Sequence, residues 1–400
     1  MAHVPSRREV LTTLAASLLG APVLANARLG LAATQVKQVP VYVGTYTEGT
    51  KSQGIYRLLL DLQAGALGQP AELVAQTPNP SFLAIHPTKP LLYAVNEVTK
   101  LDDKAEGGVS SFKIGDQGAL LAINRQPSDG TAPCHLSITP GGTALLVANY
   151  ASGTLGMKTL DPDSGAIQGT VFKFEPNGTG PNQGRQEGPH AHCVRLDPSG
   201  QFAAEADLGI DRVHIFRVPG AKEAGTPLQL VNKISAKPGS GPRHLAFHPS
   251  GRFLFVNGEM DTTLSAYRFD PQTGGADLLD SLSTLPPGDH PGSSTAETVV
   301  HPSGKFVYVS NRGHNTVARF GFDAATAKLT ALGHTPTGGK TPRNINIDPT
   351  GNWLLAANQE SNTITVFRIN TATGDLTQVG QPVDVPAPVC MVFDAARISG

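Results

Sequence analysis

Three charged side chains stand where short apolar runs end or begin: Arg243 in GPRH, Glu259 in VNGE and Arg312 in SNRG. Charges at such strand ends need partners, and their residue types suit proton transfer (Glu) and the bidentate holding of anions (Arg). His190 and His192, two apart in GPHAHCV, could face one side of a strand and chelate a metal. No third and fourth ligand is evident beside them, so neither a metal nor another cofactor is expected. No G-x-S-x-G stretch exists to present a nucleophilic serine. Cys134, Cys193 and Cys390 lie far apart, lack C-x-x-C spacing and precede apolar residues, which reads as buried structural thiols.

The elements that position these residues come from a repeat. NPSFLAIHPTKPLLYAVNE, PCHLSITPGGTALLVANY, AHCVRLDPSGQFAAEADL, PRHLAFHPSGRFLFVNGE, AETVVHPSGKFVYVSNR and PRNINIDPTGNWLLAANQ align on Pro87, Pro140, Pro198, Pro249, Pro302 and Pro349. Each unit reads as strand, Pro-containing turn, strand, with two further strands after it, separated by turns such as DPQTGGA and NTATGD. A four-stranded unit of roughly fifty residues is a propeller blade, because one such sheet cannot cover both its faces without neighbours. Six units are complete. PVCMVFD at the C-terminus with VPVYVGTY, GIYRLLLD and LGQPAELVAQ near the N-terminus supplies a seventh. The expected fold is all-β: a seven-bladed propeller of four-stranded antiparallel blades over residues 38–396, its ring closed by one blade shared between the termini.

Register follows from the anchors. Residues two and four before each proline alternate as inter-blade core, from Leu83 and Ile85 to Ile345 and Ile347. At six before stand Ser81, Cys134, His192, Arg243, Ala296 and Arg343, and at five before stand Phe82, His135, Cys193, His244, Glu297 and Asn344. Ten after come Glu97, Tyr150, Leu208, Glu259, Arg312 and Gln359, with Tyr46 for the split blade. Strands one and two form a hairpin, so all these residues should ring one mouth of the central channel as a polar funnel, the default ligand site. The Asn ladder nine after the anchor (Asn96, Asn149, Asn311, Asn358) reads as turn and loop capping. Asp207 at the same position, in EADLGIDRV, is equally able to hold its loop or face the funnel.

Composition narrows the partners. Charged residues make up 16% and cancel to a net charge of −1, which leaves no field to hold nucleic acid or an anionic membrane. The start has the form of a twin-arginine export signal: Ser6-Arg7-Arg8, an uncharged run from Val10 to Val23, then Ala25-Asn26-Ala27. Residues 1–27 are expected to be removed after Ala27 and 28–37 to form a short leader. The mature chain is then a periplasmic or secreted monomer, free of the membrane.

The sequence resembles the seven-bladed lactonase family that includes propeller-type 6-phosphogluconolactonases and fungal 3-carboxy-cis,cis-muconate lactonising enzymes. VYVGTYTEG, GPHAHCVRLDPSG with DLGIDRV, GPRHLAFHPSGRFLFVNGE, HPSGKFVYVSNRG and TPRNINIDPTGNWLLAANQ carry the likeness across the whole mature chain. The resemblance implies a catalytic His, two Arg and a Glu at the channel mouth, which fall on His192, Arg243, Glu259 and Arg312. It implies hydrolysis of a small-molecule lactone, in which His192 or Glu259 takes a proton from water, the other returns it, and the arginines hold the oxyanion and a substrate carboxylate or phosphate. Around them His135, His190, His244, Glu297, Arg343, Tyr46, Glu97, Tyr150, Asp207 and Gln359 are the expected substrate contacts. Muconate-type cycloisomerisation and a non-catalytic carbohydrate-binding scaffold are the alternatives. The glycine-rich stretch 175–190 reads either as a lid or specificity element or as an inert insertion.

Overall fold

Alternating apolar runs broken every few residues by Pro-, Gly- and Asp-containing turns give 28 strands in the computed structural model, which describes residues 37–220, 223 and 225–398. The expected export signal lies outside the described residues. The strands form seven antiparallel sheets of four. Helical structure among the described residues is limited to single 3-10 turns such as Asp116–Gly118.

In six sheets the strands follow chain order. The seventh joins β28 (Pro388–Phe393) to β1 (Gln38–Thr45), β2 (Gly54–Asp61) and β3 (Glu72–Gln76), with Val41 opposite Phe393 and Val43 opposite Met391. This pairing covers the inner edge of β1 and makes β28 the innermost strand of the closing blade. The remaining inner strands are β4 (Leu83–Ile85), β8 (Pro133–Ile138), β12 (Ala191–Leu196), β16 (Pro242–Phe247), β20 (Ser294–Val300) and β24 (Pro342–Ile347), each packed on the next around one axis.

The two positions expected as inter-blade core on these strands are buried to different degrees. Leu83, Leu136, Val194, Leu245, Thr298 and Ile345, four before each anchor, are buried between blades, and the residues two before are half-buried. Behind them, Cys193, Phe202 and Ile215 of one blade meet Leu245, Leu254 and Tyr267 of the next. Full burial of such side chains stabilises the ring by about 1.5–3 kcal/mol each. The Asn ladder does what its residue type favours. Asn96 Nδ2 donates to the Pro78 carbonyl at 2.7 Å and Asn311 Nδ2 to the Thr284 carbonyl at 2.7 Å, tying second strands to the loops that enter the blade.

A second tie recurs just before the anchor. His86, His248 and His301 each use Nδ1 to cap their own hairpin turn, through Lys89 N, Ser250 N and Ser303 N. Each Nε2 reaches a glycine carbonyl of the following blade, at Gly142, Gly304 and Gly351, over 2.9 to 3.2 Å. Burial pushes His86 and His248 below the usual histidine range, which keeps these rings neutral.

Gly304 has φ +75°, and a Cβ there would land on the His248 ring. Gly304→Ala therefore loses the backbone preference and the inter-blade bond together, about 2–3 kcal/mol. Gly380→Ala, at φ +66° with open space around it, should cost only the backbone part. Urea denaturation of the two variants checks the difference.

Candidate active site

The strand that starts the blade is irregular except in the β4 blade, where Leu83–Ile85 pair in unbroken register. Pairing with the second strand slips between Pro133 and His135, Ala191 and Cys193, Pro242 and Leu245, Thr295 and Thr298, and Pro342 and Asn344. A bulge of this kind breaks the two-residue alternation and re-aims side chains. It falls on the sixth and fifth residues before the anchor, so sequence neighbours such as Arg243 and His244 both turn to the axis. Arg243 meets Glu259 while His244 meets the rings of His192 and His135.

At the mouth, the Glu259 carboxylate sits just past β17 (Phe253–Gly258) and is only 3% exposed. Its Oε2 accepts from Arg243 Nε at 2.8 Å and lies 3.0 Å from an Arg312 nitrogen at the end of β21 (Phe306–Arg312). Its Oε1 accepts from Arg185 at 2.6 Å. Arg243 also donates to the Ala296 carbonyl at 2.8 Å, and Arg312 to the Thr295 carbonyl at 2.9 Å. Burial alone would raise this carboxyl, but Arg312, Arg243 and Arg185 outweigh it and hold Glu259 far below the usual carboxylate range. One carboxylate cannot neutralise three cations. Arg312 is accordingly pulled down to about 10, by burial first and by Arg243 second, against the pull of Glu259.

His192 stands beside this cluster. Its ring meets Tyr150 edge-on at 5.3 Å and His244 at 5.3 Å, and its Nδ1 is 3.8 Å from Cys134 Sγ. Burial, then Arg243 and His244, hold it well below the ordinary histidine range, so it is a neutral base at pH 7. On the opposite wall, Tyr46 donates to both Glu97 oxygens at 3.0 Å, and the Arg343 guanidinium lies over the Tyr46 ring at 5.1 Å. Burial raises Glu97 against the pull of Arg343.

One step deeper, a belt closes the channel. Phe82 and His135 lie 3.8 Å apart with their rings tilted by 31°, His135 meets His244 at 5.4 Å, and His244 Nδ1 lies 2.8 Å from Glu297 Oε1. Asn344 donates to Glu297 Oε2 at 2.7 Å. Burial raises Glu297 and holds His135 and His244 low. Beyond the belt lies a cavity of about 350 Å³, with Arg195 and Asn346 among apolar walls.

Not every residue expected at the funnel faces it freely. His190 stacks on Tyr150 at 4.5 Å and has both ring nitrogens engaged, Nδ1 by the Tyr150 carbonyl at 2.9 Å and Nε2 by Glu187 at 3.1 Å. Asp207 is buried and accepts from His190 N and Gly209 N, holding its loop. Gln359 lines a separate surface depression with Lys51, Asn362 and Asp384. Among the described residues, no three of His, Cys, Asp and Glu are placed to hold a metal ion, and all three cysteines are buried free thiols. Arg185 is the residue that pattern reading missed. It lies outside the repeat register, and its only sequence signal is a lone arginine in a glycine-rich insertion.

The sequence profile described as "Lactonase, 7-bladed beta-propeller" matches residues 40–393. The chain therefore belongs to the seven-bladed β-propeller lactonase family. It is 34% identical over 355 residues to the 6-phosphogluconolactonase of Bacillus subtilis, covering 88% of this chain and 97% of that one. Among solved structures, it is similar to a Lactobacillus plantarum protein, with TM-score 0.82 at 32% identity over 89% of this chain and 99% of that chain. It is also similar to the periplasmic gluconolactonase of Pseudomonas aeruginosa, with TM-score 0.82 at 28% identity over the same shares.

Removing the charge at Glu259 leaves three guanidiniums around a neutral amide. Glu259→Gln should lower unfolding free energy by about 3 kcal/mol, the scale for breaking a buried pair. Denaturant titration at pH 7, with circular dichroism to confirm the fold, measures it.

Proposed function

We propose that the protein hydrolyses a sugar lactone to its open-chain acid, with His192, Arg243, Arg312 and Glu259 as the working set. One observation carries the division of labour: a carboxylate clamped in its ionised form by three guanidiniums stands beside a buried neutral histidine. A group held that far below neutral pH is a poor proton carrier, so Glu259 positions the arginines. His192 is the base. It takes a proton from water as the oxygen attacks the lactone carbonyl, and the negative charge that develops there falls to Arg243 and Arg312. When the ring C–O bond breaks, protonated His192 returns its proton to the departing alkoxide. Burial, and Arg243 beside it, disfavour the imidazolium, which makes that return favourable. Tyr46, Glu97, Arg343 and Tyr150 form the walls that orient hydroxyl groups of the sugar.

Relatives bearing the names 6-phosphogluconolactonase and periplasmic gluconolactonase support a carbohydrate lactone as substrate. The twin-arginine pattern and the periplasmic relative support export, and the ring closed on itself supports a monomer.

His192→Asn should reduce kcat/KM on a gluconolactone by about 10²–10⁴-fold, and Arg243→Gln by about 10²–10³-fold, with dichroism unchanged. Because His192 resists protonation, the acid limb of the wild-type kcat/KM profile should lie below pH 6.5, with activity flat above it and falling as pH drops through the limb. Full activity of either variant, or a limb above pH 6.5, would remove the assignment. Export is tested separately: N-terminal sequencing of the periplasmic or secreted form should begin at Arg28, and retention of the whole chain in the cytoplasm would contradict it.

A further inference from the structure

The arginines on Glu259 are not equivalent. Arg243 is 2% exposed and Arg312 17%, and together they hold Oε2 from within the ring. Arg185 meets Oε1 from the solvent side with its side chain 44% exposed, and its other contact is the Tyr150 hydroxyl at 3.3 Å. Its backbone is firmly placed by the residue beside it. Gln186 is fully buried, donates to the Leu208 carbonyl at 2.9 Å and accepts from Asn182 N at 3.1 Å, while Arg185 N donates to the Asn182 carbonyl at 3.0 Å. The guanidinium can leave Glu259 without moving the loop between β11 (Ile167–Phe174) and β12.

Charge gives it somewhere to go. Three guanidiniums share one carboxylate, and Arg343 with Glu97 on the far wall adds no surplus anion. Glu259 remains held by two cations once Arg185 departs, and a lactone carbonyl needs no more than those two as donors. A third cation at the rim is matched only by a further negative charge on the substrate.

We propose that Arg185 receives an anionic substituent of the lactone, a phosphate ester or a second carboxylate, and so sets the preference for charged over neutral sugar lactones. This rests on the lactonase reading of the same site. On binding, the guanidinium exchanges Glu259 Oε1 and Tyr150 for the substrate anion, which sits at the rim while the ring carbonyl lies inward against Arg243 and Arg312.

The test compares three acids, gluconate, glucarate and 6-phosphogluconate, by calorimetry, and the lactones that yield them by kcat/KM, on wild type, Arg185→Gln and Arg185→Lys. In the wild type at least one of the two acids with a further negative group, glucarate or 6-phosphogluconate, should bind ten or more times tighter than gluconate. Its margin should shrink about 10–100-fold in Arg185→Gln, the loss of one charge-assisted contact, and be partly recovered in Arg185→Lys. The phosphate and carboxylate arms separate the two sources of charge. An unchanged margin, or equal weakening of all three acids, would overturn the proposal. No turnover of any of the lactones would instead sink the lactonase reading, and the binding margins distinguish the two failures because they are read without catalysis.

Discussion

A strand paired without interruption sends neighbouring side chains to opposite faces, so only one of Arg243 and His244 would reach the axis. The slip at the head of β8, β12, β16, β20 and β24 removes that limit. β8, β16 and β24 each deliver two consecutive side chains to the channel, one toward the mouth and one a step deeper, while β12 delivers His192 with Cys193 packed between blades and β20 delivers Glu297. The upper set is Cys134, His192, Arg243 and Arg343, and the lower is His135, His244, Glu297 and Asn344. A site with charges at its rim and a plug of aromatic rings beneath it follows from repeating one local distortion around a ring. The ring makes the distortion tolerable, because the residue four before the anchor on each of these strands, from Leu136 to Ile345, remains buried between two blades.

Within that frame, electrostatics separates two groups that residue type alone leaves interchangeable. Histidine and glutamate can each serve as acid or base. Here burial acts on both and the arginines decide between them: cations favour the ionised carboxylate of Glu259 and disfavour the imidazolium of His192. The same guanidiniums thereby fix a positioning group and prepare a neutral base. Removing the deep belt would admit water from the 350 Å³ cavity beyond it and weaken these interactions, so Phe82, His135 and His244 matter to the chemistry as a floor.

Much of this was written in the chain. The spacing of Pro87, Pro140, Pro198, Pro249, Pro302 and Pro349 set the blades, and the alternation of Leu83, Leu136, Val194 and Leu245 identified the faces between them. Glu259, Arg312 and Arg243 were legible because charge at a strand end demands a partner. The bulges were not legible, since two polar neighbours such as Arg243 and His244 read equally as one facing in and one facing out. His190 and Asp207 make local hydrogen bonds with Tyr150, Glu187 and Gly209, which for Asp207 is one of the two roles its residue type and position left open. Arg185 escaped because a loop residue has no register from which its direction can be read.

A crystal structure with a bound aldonolactam, a non-hydrolysable lactone analogue, tests the account most directly. The lactam carbonyl oxygen should lie within hydrogen-bond reach of Arg243 and Arg312, with His192 on the side from which water attacks and Glu259 still paired to both arginines. An analogue seated beyond the Phe82, His135 and His244 belt, or with its carbonyl turned away from the arginines, would contradict it.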